Sequence, residues 1–119
     1  MSVGIIVFGH GSRIESANES VRDAARELAR ASGLKHVEAA FLELGQPDLE
    51  GAVARLLAQG VRRIRVIPYF LTLGTHLERD LPRIVDDISR SNKGLEIEVT
   101  APLDGHPGLV AALLDRAKD

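Results

Sequence analysis

The sequence contains no cysteine among its 119 residues. A disulfide framework, a thiolate nucleophile, a Cys-ligated zinc site and an iron–sulfur cluster held by the chain's own thiolates are therefore excluded. Any metal must rest on His, Asp, Glu or backbone oxygen. Aromatic residues make up only 3% of the chain, as Phe8, Phe41, Tyr69 and Phe70, too few for a platform on which single strands stack. Neither sign of charge dominates: 15 Lys and Arg stand against 17 Asp and Glu, interspersed, for a net charge of -2. That balance argues against a nucleic-acid partner bound by a basic stripe. Long hydrophobic runs are missing too. The run from Val3 to Phe8 is far too short to span a membrane, and no basic leader precedes it, so a cytoplasmic protein with no membrane partner is expected.

What remains is an ordinary globular composition, 45% hydrophobic and 27% charged, in a chain of the usual size for one domain. One unit over residues 1–119 is expected, large enough to bury roughly two thirds of its unfolded surface. Four apolar segments alternate with four amphipathic ones. Val3 to Phe8 is continuously hydrophobic, as suits a strand buried on both faces. Val37 to Leu42 and Ile64 to Ile67 are further strands, and Leu95 to Thr100 alternates as an edge strand does. Val21, Ala25, Leu28 and Ala29 fall at helical spacing, as do Leu49, Val53, Leu56 and Leu57, and Leu77, Leu81, Ile84 and Val85. Val110, Leu113, Leu114 and Ala117 mark a last helix. Gly33 and Gly60 stand where the first two helices should stop, and Asp48 is an N-cap for the second. Thr75 to Glu78 reads as a capping box for the third helix, with Pro82 either kinking it or delaying its regular part to near Asp80.

The order β-α-β-α-β-α-β-α implies a parallel sheet with helices on both faces, with strand order 2-1-3-4. Ligands of such sheets bind beyond the carboxyl ends of the strands, at the switch point between strands one and three. Gly9-His10-Gly11-Ser12-Arg13 follows strand one there, and His76 closes the segment that follows strand three. Neighbouring strand axes lie roughly 4.8 Å apart, a separation that two imidazoles each reaching ~2.1 Å to one metal ion can bridge. Glu43, just past strand two, is a candidate third ligand. Such an open N/O site suits divalent cobalt, nickel, iron or zinc. Asp80, four residues after His76, shares its helix face and is a candidate to orient the imidazole from behind. His36 opens strand two at the far end of the sheet and reads as surface structure; His106, before Pro107, reads as a cap. The three phenylalanines read as core packing, with Phe70 close enough to His76 to serve both. The glycines around His10 also fit a phosphate cradle, though without the fuller glycine spacing of nucleotide loops.

Three motifs in register resemble one family: Gly9 to Arg13, Pro68 to Pro82 and Ala101 to Pro107. Together they resemble the CbiX-type sirohydrochlorin chelatases, short form, of the class II chelatases. The resemblance covers nearly the whole chain and implies a chelatase-like, flavodoxin-like three-layer sandwich. It implies insertion of a divalent metal ion, Co2+ in the cobalamin branch, into sirohydrochlorin without ATP. Fe2+ and Ni2+ take the same kind of site, so ferrochelatase and nickelochelatase readings stay open. By resemblance His10 is the proton acceptor and a metal ligand, His76 is the second metal-binding histidine, and Phe70, Leu71, Thr72, Leu73, Gly74 and Thr75 contact substrate. Glu43 matches only loosely. Ser12 and Arg13 are candidate substrate contacts, since the tetrapyrrole carries many carboxylates that Arg13 or Arg79 can pair with. Short members of the family work as homodimers, so a two-fold dimer with the histidine ends facing inward is expected. A metal-delivery module that does not turn over, and a phosphate-binding regulatory domain, are the other classes left standing.

Overall fold

The computed structural model describes residues 2–118. Its elements run β1 (Val3–Gly9), α1 (Glu15–Ser32), β2 (Val37–Phe41), α2 (Leu49–Ala58), β3 (Arg63–Pro68), α3 (Gly74–Ser91), β4 (Glu96–Val99) and α4 (Pro107–Ala117). The four strands form one parallel sheet of order β2-β1-β3-β4, as the alternation of periods implies. β1 is central because nothing in it needs water: Gly4 to Gly9 are all buried. β4 takes the edge its alternating charges require. Glu98 faces Arg65 across the β3–β4 register, and their side chains bond at 2.6 Å.

The two faces of β1 are covered by different helices. Ile6 and Phe8 pack with Leu49, Val53 and Leu56 of α2 and with Leu77, Leu81 and Ile88 of α3. Gly9 lies on the opposite face, where a Cβ would come within 3.0 Å of the Val21 side chain of α1. Gly33 ends α1 in the left-handed conformation, and the Asp48 side chain caps α2 by accepting from the Gly51 amide at 2.8 Å. Both match the sequence signals.

The start of α3 does not. The helix begins at Gly74, preceded by Leu73 with no side-chain cap, so Thr75 lies inside its first turn and the expected capping box is not formed. Nor does the regular part wait for Asp80: the helix runs unbroken through Pro82. Pro82 is exposed, and the carbonyl it leaves without an amide partner belongs to exposed Glu78. Burial of Leu77 and Leu81 before the proline and Ile88 after it holds the helix together across the gap.

α4 departs from the rest. None of its residues is buried, and Val110, Leu113 and Leu114 are 63%, 69% and 63% exposed. The radius of gyration is 14.7 Å, against about 13.5 Å for a compact chain of this length. The described residues extend 52 × 33 × 27 Å.

At the carboxyl edge the loops are tied in pairs. Leu42 and Glu43 donate backbone hydrogen bonds to Gly9 and His10 at 3.0 and 3.1 Å, joining the β2–α2 loop to the β1–α1 loop. Leu103 and Asp104 donate to Phe70 and Leu71, both at 2.9 Å, joining the β4–α4 loop to the β3–α3 loop. Gly11 permits the first pairing: its φ is +97°, and a Cβ there would lie 1.6 Å from the Glu43 carbonyl oxygen. Gly11→Ala is therefore expected to lower the free energy of unfolding by roughly 2–4 kcal/mol through strain and overpacking. Urea denaturation measures it, and a loss below about 0.5 kcal/mol, typical of a plain surface change, would contradict the close approach.

Candidate functional site

β1 and β3 are neighbours, so the loops that follow them meet at the switch point, where the reversal of strand order opens a crevice. A cavity of about 470 Å³ lies there, lined by His10, Leu42, Leu73, Gly74, Thr75, His76, Leu77, Asp80 and Ile84. Its wall sets four aliphatic side chains beside two imidazoles and a carboxylate, a combination suited to a ligand with an apolar face and a cation at one point. His10 comes from the loop after β1 and His76 from the first turn of α3, so the sheet order alone brings residues 66 positions apart to one opening.

The His10 side chain is 59% exposed, its Nδ1 4.0 Å from a carboxylate oxygen of Glu43, whose side chain is 57% exposed. At that exposure the pair contributes little to stability, so its geometry matters for what it can receive and not for what it holds together. The His10 ring also meets the edge of Phe70, with centroids 6.3 Å apart at 85°, and Phe70 in turn packs against Phe8 at 6.2 Å. Phe70 thus links core to site through His10; no ring contact between Phe70 and His76 is found among the described residues. Glu43 lies beside His10 without lining the cavity. Among the described residues, no group of three His, Cys, Asp or Glu side chains is gathered closely enough to hold a metal ion. The structure therefore unites His10 with Glu43 and His10 with His76, but not all three as a closed set.

The candidate helper residues find other partners. Asp80 lines the cavity, but its carboxylate accepts from the Arg79 guanidinium at 3.0 Å and makes no hydrogen bond with the His76 ring among the described contacts. That bond to Arg79, with Arg83 and His76 contributing charge, holds the Asp80 carboxyl below the usual carboxylate range. Arg79 is correspondingly engaged within its own helix, while Arg13 stands exposed. The Ser12 hydroxyl accepts from the Ile14 amide at 3.0 Å, shaping the entry to α1. Of the expected substrate loop, Leu73, Gly74 and Thr75 line the cavity; Leu71 is 61% exposed beyond it, and Thr72 is exposed. His36 bonds to Gln59 at 2.8 Å, and His106 caps α4 by accepting from the Gly108 amide at 2.8 Å, both away from the cavity.

One residue escaped the sequence reading. Asn18 of α1 is 2% exposed and hydrogen-bonded to both loops that carry His10 and Glu43. The signal was present: Asn18 stands three residues before Val21 and seven before Ala25, a polar side chain on the buried stripe of its helix.

Comparison with known proteins bears on this geometry. A chloroplastic sirohydrochlorin ferrochelatase from Arabidopsis thaliana is 33% identical over 95% of this chain and 50% of its own length. A sirohydrochlorin cobaltochelatase from Saccharolobus islandicus is 32% identical over 98% of this chain and 94% of its own. The crystal structure of the sirohydrochlorin chelatase SirB from Bacillus subtilis subspecies spizizenii, in complex with cobalt, superposes with a TM-score of 0.83 at 27% identity, covering 98% of this chain and 50% of that one. The chain thus spans about half of the plant relative and of SirB, and nearly all of the archaeal one. With the CbiX family model matching residues 4–119 as well, the four-stranded sheet and the histidine-lined edge have a plain assignment: the chain belongs to the CbiX family.

Proposed function

We propose that the chain inserts a divalent metal ion, Co2+, into sirohydrochlorin without ATP, in tetrapyrrole and cobalamin biosynthesis, as a cytoplasmic homodimer. The observation that carries this reading is that His10, from the loop after β1, and His76, from the first turn of α3, line one and the same cavity. Relatives named sirohydrochlorin chelatases, with either cobalt or iron as the metal, support the reaction class. Cobalt is favoured because the archaeal cobaltochelatase matches over nearly its whole length, whereas the plant ferrochelatase matches over half. No helix among the described residues is long and apolar enough to cross a membrane.

Insertion releases two pyrrole N–H protons for each metal ion that enters, so the site needs both a cation donor and a base of near-neutral pKa. Imidazole supplies both. His10 and His76 bind the incoming ion through ring nitrogens; as the ion passes to the macrocycle, His10 takes up one of the two protons on the nitrogen that the ion vacates, and the second leaves to solvent water at this open site. Two neutral nitrogens and at most one carboxylate, Glu43, hold the ion loosely enough to let it go, which a thiolate cage would not. Leu42, Leu73 and Ile84 offer an apolar wall to the macrocycle face, and Arg13, exposed in the loop that carries His10, is the candidate partner of its carboxylates.

The unpacked α4 supports the dimer. Its apolar stripe is exposed at 63–69%, and a helix with such a stripe gains most of its stability by burying it. α4 leaves from the carboxyl edge, the edge at which the cavity opens, directly after the loop bonded to Phe70 and Leu71. The half-length match to the plant relative and to SirB leaves room in each of those chains for a second such unit.

Three measurements test the reading. Protein mixed anaerobically with sirohydrochlorin and Co2+, Fe2+ or Ni2+ in turn is expected to speed the absorbance change of insertion, most with Co2+. A larger effect with another metal would reassign the metal, and no acceleration over the spontaneous rate with any would sink the enzyme; tight metal binding without tetrapyrrole-dependent release would favour a delivery module. His10→Ala and His76→Ala are each expected to lower the insertion rate about 10²–10⁴-fold, with folding free energy changed by no more than about 0.5 kcal/mol at these exposed positions. Leu113→Glu combined with Leu114→Glu is expected to turn a dimer into a monomer in sedimentation, with loss of insertion activity. A parent chain that sediments as a monomer and remains active would overturn the dimer.

A further inference from the structure

The loops bearing His10 and Glu43 touch along their near sides, through the Glu43 amide on the His10 carbonyl and the Gly11 backbone against the Glu43 carbonyl. Their far sides, Ser12 and Leu44, must be held by something else. Asn18 reaches both. Its Oδ1 accepts from the Ser12 amide at 2.8 Å; its Nδ2 donates to the Ser12 carbonyl at 2.8 Å and to the Leu44 carbonyl at 3.0 Å. Both amide hydrogens and the acceptor are thereby used, as burial of an asparagine requires. Asn18 is the one polar or charged side chain that is buried among the described residues, and it is placed on a helix stripe where an aliphatic residue would pack without such needs.

Leu44 shows what the bond restrains. It is the one non-glycine residue with positive φ among those described, at 58°, a conformation disfavoured for a side chain with a Cβ. Its side chain is 53% exposed, so packing of that side chain does not impose the conformation. Unusual backbone of this kind persists where the surroundings over-determine it, and the Asn18 bond to the Leu44 carbonyl is part of that restraint. Glu43 is the residue immediately before it.

We infer that Asn18 is a positioning residue for metal capture: it bolts the β1–α1 loop to the β2–α2 loop and so sets the separation of His10 and Glu43 before the ion arrives. The inference rests on the proposed reading that these two side chains receive the metal. Their donor atoms lie 4.0 Å apart. Two ligands each about 2.1 Å from one ion can be no more than about 4.2 Å apart, so the bolted loops keep the pair within capture distance. Asn18 itself touches neither side chain in any hydrogen bond of the structure and acts only through the backbone.

Two substitutions at Asn18, a Glu43→Ala background and two readouts test this in the full chain. Asn18→Ala removes all three bonds; Asn18→Asp is nearly isosteric, keeps an acceptor for the Ser12 amide and, when ionised, loses both donors. In metal-free protein, hydrogen exchange at the Ser12 and Glu43 amides is expected to quicken at least tenfold in Asn18→Ala, while that of Ile6 and Phe8 in β1 stays unchanged. In Asn18→Asp the Glu43 amide is expected to be affected more than Ser12. Titration with Co2+, followed by its visible absorption, is expected to show at least tenfold weaker binding in both variants. Adding Asn18→Ala to Glu43→Ala is expected to weaken binding by less than threefold further. Parent-like Co2+ affinity in the folded variants, or the same loss with and without Glu43, would overturn the inference and leave Asn18 a purely structural residue. A parent chain that binds no Co2+ defeats the proposed function instead. Exchange at Ser12 and Glu43 that remains parent-like in Asn18→Ala would then overturn the bolt itself.

Discussion

Everything at the site depends on β1 lying between β2 and β3. A strand buried on both faces can lie only in the interior of the sheet, and Gly4 to Gly9 meet that condition without a polar side chain. Once β1 is central, right-handed crossovers send the chain to β2 on one side and to β3 on the other, and the loops leaving β1 and β3 part company at the carboxyl edge. The crevice that receives His10 and His76 is the geometric remainder of that parting. Chemistry is then added by a few short segments, Gly9 to Arg13 above all, where Gly11 lets one backbone lie directly on another.

The site is weakly held at its side chains and firmly held at its backbone. His10 and Glu43 are both more than half exposed, while the loops beneath them are fixed by main-chain hydrogen bonds and by a buried amide. Under the proposed function such a division suits passing a metal ion on: rigid loops limit the loss of order on binding, and exposed side chains avoid a cage that would retain the ion. The bond of Asp80 to Arg79 fits the same pattern, since it keeps a carboxylate charged at the cavity rim without engaging either imidazole among the described contacts.

Much of this was legible in the sequence, for identifiable reasons. Strand order followed from one continuous and one alternating apolar segment, and the place of His10 and His76 followed from strand order. The caps at Asp48 and His106 were readable because a side chain makes them, with local sequence sufficient to show it. The start of α3 was not, because no side chain caps it and the apparent capping residue Thr75 lies within the helix. The unbroken passage through Pro82 was hidden for a related reason, since the burial of Leu77, Leu81 and Ile88 that outweighs the missing bond is tertiary. Asn18 was visible as a polar interruption of an apolar stripe, but its partners, Ser12 and Leu44, lie six and 26 residues away, and only the folded chain brings the second of them near. The partners of Asp80 and Ser12 likewise depended on rotamers that spacing does not specify.

The two hydrogen bonds from Leu103 and Asp104 to Phe70 and Leu71 have a mechanical meaning. They tie the segment leading into α4 to the loop leading to His76 at two adjacent points, so the root of α4 and that loop share one anchorage. The helix with no seat of its own is in that sense the long arm of a lever whose short arm is the Phe70 loop.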